Sequence, residues 1–90
     1  MELDENTLHD VTVRLRKVQG QLGGLVQMLE AGRDCKEIIT QLAAASRALD
    51  RVGFRIVASG LKECVAGANA GSQQAEIDRD DLERLFLTLA

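Results

Sequence analysis

Two cysteines, Cys35 and Cys64, are the residues of this 90-residue chain best suited to chemistry, and 29 positions separate them. A deprotonated thiol is both a nucleophile and a soft metal ligand. A pair of thiols can therefore exchange sulfur with an oxidant, close a bridge, or hold an ion such as Cu(I). In a cytoplasmic chain, where thiols stay reduced, such reactivity is a better reading than a structural staple. The plainer alternative is that both cysteines are small buried hydrophobes. The single histidine, His9, lies near the start of the first expected helix, a place more usual for a solvent-facing or capping side chain than for a ligand. There is no histidine-centred triad, phosphate-binding glycine loop or hydrolase metal motif, so an enzyme is not expected.

The elements that must carry these thiols are helical. Hydrophobic residues make up 46% and charged residues 28%, with no proline and only two Phe for aromatics, a composition of packed amphipathic helices in one domain over residues 1–90. No run approaches the ~20 apolar residues of a membrane span, and the acidic opening MELDEN is the reverse of a signal peptide, so the expected location is cytoplasmic with no membrane partner. Leu8, Val11, Leu15, Val18, Leu22, Leu25, Val26 and Leu29 give a first helix over 6–29, and Gly32 supplies a stop. Asp34-Cys35-Lys36-Glu37 has the form of a capping box, with Glu37 reaching back to the Asp34 amide. It opens a second helix of about 30 residues and ~45 Å, ending in the Gly/Asn/Ser/Gln cluster at 67–74. A short third helix opens near Asp78 and carries Leu82, Leu85, Phe86 and Leu89.

On one helix the two cysteines stand ~43 Å apart along the axis and about 20° apart in phase, so they share a face and cannot touch. A helix this long also exceeds what its two shorter neighbours can cover, so another copy must finish the core. The simplest closed arrangement pairs two long helices antiparallel about a two-fold axis near Asp50, giving a dimer or a dimer of dimers. Cys35 of one copy then falls beside Cys64 of the other. Cys35, in the first turn beside Arg33 and Lys36, is the expected attacking thiolate. Cys64, near a helix end beside Glu63, is the resolving thiol. Gly20, Gly23, Gly24, Gly53 and Gly60 sit inside helices, where each costs about 1 kcal/mol against Ala, and close helix approach or local flexibility accounts for keeping them.

The net charge of −3 conceals an asymmetry. Residues 1–10 hold four acids and no Lys or Arg, residues 11–62 hold nine bases against four acids, and residues 63–90 hold six acids against two bases. Arg14, Arg16 and Lys17 cluster on the first helix, and Arg47, Arg51 and Arg55 recur every four residues on the second. Such a stripe is either a solvated face or a surface that follows a phosphate backbone.

The stretch Arg14-Leu15-Arg16-Lys17-Val18-Gln19-Gly20-Gln21-Leu22, then Met28-Leu29-Glu30, Cys35, Gln41-Leu42-Ala43-Ala44 and Cys64, resembles the copper-sensitive operon repressor (CsoR-like) family over roughly residues 10–66. The resemblance implies an all-α homotetramer, a dimer of dimers, that binds operator DNA without a helix-turn-helix. It also implies a sensing site between the Cys of one protomer and residues on the second helix of its partner, with Arg14, Lys17 and Arg51 at DNA-contacting positions. Copper-sensing members carry a His four residues before the second Cys, where this chain has Gly60, and formaldehyde-sensing members carry a Pro where it has Glu2. Two cysteines without that His resemble the CstR-like persulfide-sensing branch. The expectation is a repressor without cofactor that releases DNA when reactive sulfur species link Cys35 to Cys64 of a partner. The alternatives are a repressor that binds Cu(I) through Cys35 and Cys64, and a helical interaction protein without a DNA partner.

Overall fold

A computed structural model of the chain describes residues 2–89, which form three helices: α1 (Glu5–Glu30), α2 (Cys35–Asn69) and α3 (Gln73–Leu89). Asp4 caps α1, its carboxylate accepting the Thr7 N–H at 2.7 Å. Gly32 ends α1 in the left-handed conformation (φ 67°) that spares a residue with no Cβ, and Arg33 N–H returns to the Met28 carbonyl at 3.0 Å.

α2 departs from the expected capping box and from the expected length. Asp34 accepts the Lys36 N–H at 3.1 Å, but Glu37 pairs with the Arg33 guanidinium (3.0 and 3.2 Å) rather than returning to the Asp34 amide. The helix runs 35 residues, about 52 Å, straight through Gly67 and Asn69. The reason is tertiary. A Cβ at Gly67 would lie 2.8 Å from Ala75 Cβ on α3, so the glycine that reads as a breaker is the residue that lets α3 approach. The reversal comes at Gly71 (φ 90°), and the Ser72 hydroxyl accepts the Ala75 N–H at 3.1 Å, starting α3 five residues before Asp78.

α2 is the spine. α1 runs antiparallel along it, with Thr7 meeting Ser59 (Oγ1···Oγ 3.2 Å) near one end and Met28 meeting Thr40 and Gln41 across a cleft near the other. α3 runs antiparallel along its second half, with Ala75 against Gly67, Phe86 against Phe54 (ring centroids 5.5 Å apart) and Leu89 against Gly53. Among the described residues the backbones of α1 and α3 make no close approach to each other. The core is correspondingly thin: Val11, Val18 and Leu25, then Ala45 and Val52, then Val57 and Cys64, all at seven-residue spacing, with Leu82 from α3.

The rest of the apolar surface faces outward. Leu8, Leu15, Leu22, Val26 and Leu29 of α1 and Ile39, Leu42 and Leu49 of α2 are exposed. The protomer is a plate of 57 × 25 × 13 Å with a radius of gyration of 17.2 Å, against about 12 Å for a compact domain of this length. Its accessible surface is 6685 Å², whereas a folded monomer of 9.8 kDa is expected to expose about 5,200 Å². The excess of roughly 1,500 Å² is ample for one standard interface, which takes about 800 Å² per partner.

Candidate nucleic-acid interface and thiol pair

The antiparallel pairing of α1 with α2 sets the basic residues of the two helices side by side. Arg14, Lys17, Val18 and Gln21 from α1 and Ala48 and Arg51 from α2 line one cleft of about 120 Å³. Its three cations, expected on two separate stripes, thus converge on one concave surface. Arg55 lies one turn along α2 and joins this surface indirectly. Its Nη1 donates to Asp10 Oδ2 at 3.0 Å, and the same carboxylate receives Arg14 Nε at 3.1 and 3.2 Å. Arg16 and Arg47 are exposed and do not line the cleft, so the structure divides the six expected bases into a cleft group and two outliers. Asp10 is the residue that the charge tally misses: counted with the acidic opening segment, it stands in space among the arginines.

The two thiols occupy contrasting sites. Cys35 is the first residue of α2 and is exposed, while Cys64 is buried near the other end of the same helix, and no bridge joins them within the chain. Arg33, counted as a cation beside Cys35, is engaged by Glu37, whose carboxyl the guanidinium holds below its ordinary range. Cys64 lies under α3, in a cleft of about 170 Å³ lined by Glu63, Ser72, Gln74, Ala75 and Asp78. Burial pushes the Cys64 thiol up, and the Asp78 and Glu63 carboxylates push the same way against a smaller opposing pull from Arg79. Cys64 is therefore a protonated thiol at neutral pH. The expected effect of Glu63 is present but ranks behind burial and Asp78, and no local pattern in the sequence signals Asp78, because only the turn at Gly71 brings it back over the cysteine.

Gly60, one turn before Cys64, is buried and supplies no ligand. His9 is exposed on α1. Among the described residues of one protomer, no group of three or more His, Cys, Asp or Glu side chains is placed to hold a metal ion. Among the described residues no helix is long and apolar enough to cross a membrane.

The three-helix arrangement is shared with the nickel-responsive transcriptional regulator InrS. The two superpose with a TM-score of 0.81 and 28% sequence identity over 96% of this chain and 97% of that one, which sets the fold among all-helical transcriptional regulators. The chain belongs to the metal-sensitive transcriptional repressor family, whose sequence profile matches residues 7–88. Among curated relatives, the copper-sensing transcriptional repressor RicR of Mycobacterium tuberculosis is 37% identical over 57 residues, covering 63% of this chain and 59% of that protein. The copper-sensing transcriptional repressor CsoR of Bacillus subtilis is 33% identical over 58 residues, covering 64% of this chain and 57% of that protein. The matched segment thus spans somewhat under two thirds of the length of these relatives. Family membership bears out the resemblance read from Arg14–Leu22 and the two cysteines, and the relatives of stated function are repressors, not enzymes.

Proposed function

We propose that this chain is an operator-binding repressor whose inducer is a reactive sulfur species acting on Cys35 and on Cys64 of a second copy. The observation that carries the reading is the placement of the thiols: one exposed, one buried, near opposite ends of one long helix that is left with uncovered apolar neighbours. Two such helices packed antiparallel complete each other's core and bring unlike thiols together, which no arrangement within one chain can do.

The chemistry follows from the two environments. Cys35, solvent-accessible, attacks a sulfane sulfur of a polysulfide and becomes a persulfide, with the shortened polysulfide leaving. The sulfur of Cys64 from the second copy, after losing its proton, attacks the Cys35 sulfur. Hydrosulfide leaves and the bridge closes. A direct bridge needs Cα atoms within about 7 Å. A wider site is closed when Cys35 takes up two sulfurs (Cys–S–S–SH) and the Cys64 thiolate, its proton passed to water, attacks the inner added sulfur, so that hydrosulfide leaves and a trisulfide remains, which selects polysulfide over simple oxidants. The cleft of Arg14, Lys17 and Arg51 supplies phosphate contacts, and with no aromatic interleaving the readout rests on backbone and duplex shape.

The copper-sensing names of RicR and CsoR favour a second reading, with Cu(I) as inducer. The donor set here is two thiols with a glycine at position 60, soft enough for two-coordinate Cu(I) and short of the nitrogen donors that nickel favours. Cys35 and Cys64 would hold the ion, which would draw two protomers together as a bridge does.

Intact mass spectrometry after polysulfide treatment separates the readings. A covalent dimer heavier than two chains by one or two sulfur atoms, with loss of operator binding, is expected. Stoichiometric Cu(I) uptake that releases DNA, with polysulfide inert, would overturn the sulfur reading. A wild-type protein that ignores the upstream region of its own gene would remove the repressor reading altogether.

A further inference from the structure

An acid pairs with Arg14, one of the cations lining the cleft that would meet DNA. Asp10 sits on α1 one turn before Arg14, receives Arg14 Nε on both oxygens (3.1 and 3.2 Å), and receives Arg55 Nη1 from α2 at 3.0 Å. Among the described residues this is the one ion pair that joins two helices. A carboxylate beside a phosphate-binding surface costs electrostatic affinity, so a role for it must lie elsewhere. The geometry supplies that role. Arg14 is held through Nε alone, leaving both of its terminal nitrogens for a phosphate, and Arg55 gives up one terminal nitrogen of its two. One turn further out, the Thr7–Ser59 hydroxyl contact ties the same two helices together.

We infer that Asp10 is a positioning residue: it aims Arg14 and Arg55 as one bridged pair across the α1–α2 junction, fixing the spacing at which they meet successive phosphates and so favouring a duplex whose backbone has that spacing. The inference rests on the repressor reading. Long guanidinium side chains that are free before binding must be ordered on binding, and pre-aiming two of them removes part of that cost only where the phosphates stand in the matching place. On an arbitrary duplex the same alignment confers nothing, while the negative charge still repels.

The test is the ratio of affinities for operator and for random-sequence duplex of equal length, measured for wild type and for Asp10→Asn. The substitution keeps the side-chain shape and raises the local charge by one. If Asp10 only repels, both affinities rise together and the ratio stays constant, which overturns the inference. If Asp10 aims the arginines, operator affinity falls, random-duplex affinity holds or rises, and the ratio drops by about tenfold. Retained random-duplex binding shows that the variant is folded. Asp10→Glu, which keeps the carboxylate, is expected to retain most of the wild-type ratio, and a drop as large as that of Asp10→Asn would leave the carboxylate no positioning role. A wild type without operator preference would fail earlier, at the repressor reading itself.

Discussion

Cys35 is exposed and Cys64 is buried, with its thiol pushed up by burial, and that contrast is measurable before any inducer is identified. At neutral pH a small alkylating reagent should modify Cys35 at least about tenfold faster than Cys64, read by peptide mass mapping of the reduced protein. Asp78→Asn removes one of the charges that push Cys64 up and should speed its labelling without changing that of Cys35. Folding raises the Cys64 pKa, so the folded chain holds that proton more tightly than the unfolded chain does. Its contribution to stability is complete below the unfolded thiol's pKa and is lost as pH rises through the folded value. The melting temperature should therefore decline above about pH 8.5, and Cys64→Ala should flatten that decline. Cys35→Ser should remain on operator DNA in the presence of polysulfide, and release at the wild-type rate would exclude Cys35 as the sensor. The spacing of the two thiols was legible from helical arithmetic on their positions. Asp78 over Cys64 and Asp10 among the arginines were not, because each depends on a partner more than a dozen residues away or on another helix.

Among the helices, the boundaries that sequence missed are those that tertiary contact decides. Gly67 to Asn69 reads as a break on propensity alone, yet α2 continues because Ala75 packs where a side chain at 67 would stand. Gly67→Ala should thus cost about 1–2 kcal/mol, the strain of overpacking less the gain in helix propensity, and should loosen α3. Gly53→Ala meets only the flexible end of Leu89 and should be nearly neutral. Thermal melts of the two variants, combined with Cys64 labelling, test both: the first should expose the thiol and the second should not. Close approach within one protomer accounts for Gly67, whereas Gly20, Gly23 and Gly24 face open space there. Because α3 roofs Cys64, the rate of crosslinking at high polysulfide should level off at the rate of α3 opening instead of rising in proportion to the reagent.

For the molecule as a whole, the incompleteness of the protomer is the dominant fact. Its heptad-spaced core and its outward Leu42 and Leu49 were readable from periodicity, since apolar residues on a helix too long for its neighbours demand further cover. Sedimentation should give a mass above that of one chain, and the melting temperature should rise with protein concentration. Leu42→Glu should shift the population toward monomer and lower the melting temperature at equal concentration. DNA affinity should fall steeply with salt, and Arg51→Ala should reduce the slope of that dependence by about one per contact removed while leaving the fold intact. Under the proposed assembly, in which a second copy finishes the plate, activity is also tied to cellular dose. When chains are scarce, the functional species grows as a power of the amount synthesised, so halving expression would more than halve the occupancy of a target site. A cell then sets a sharp threshold for derepression through gene copy number alone.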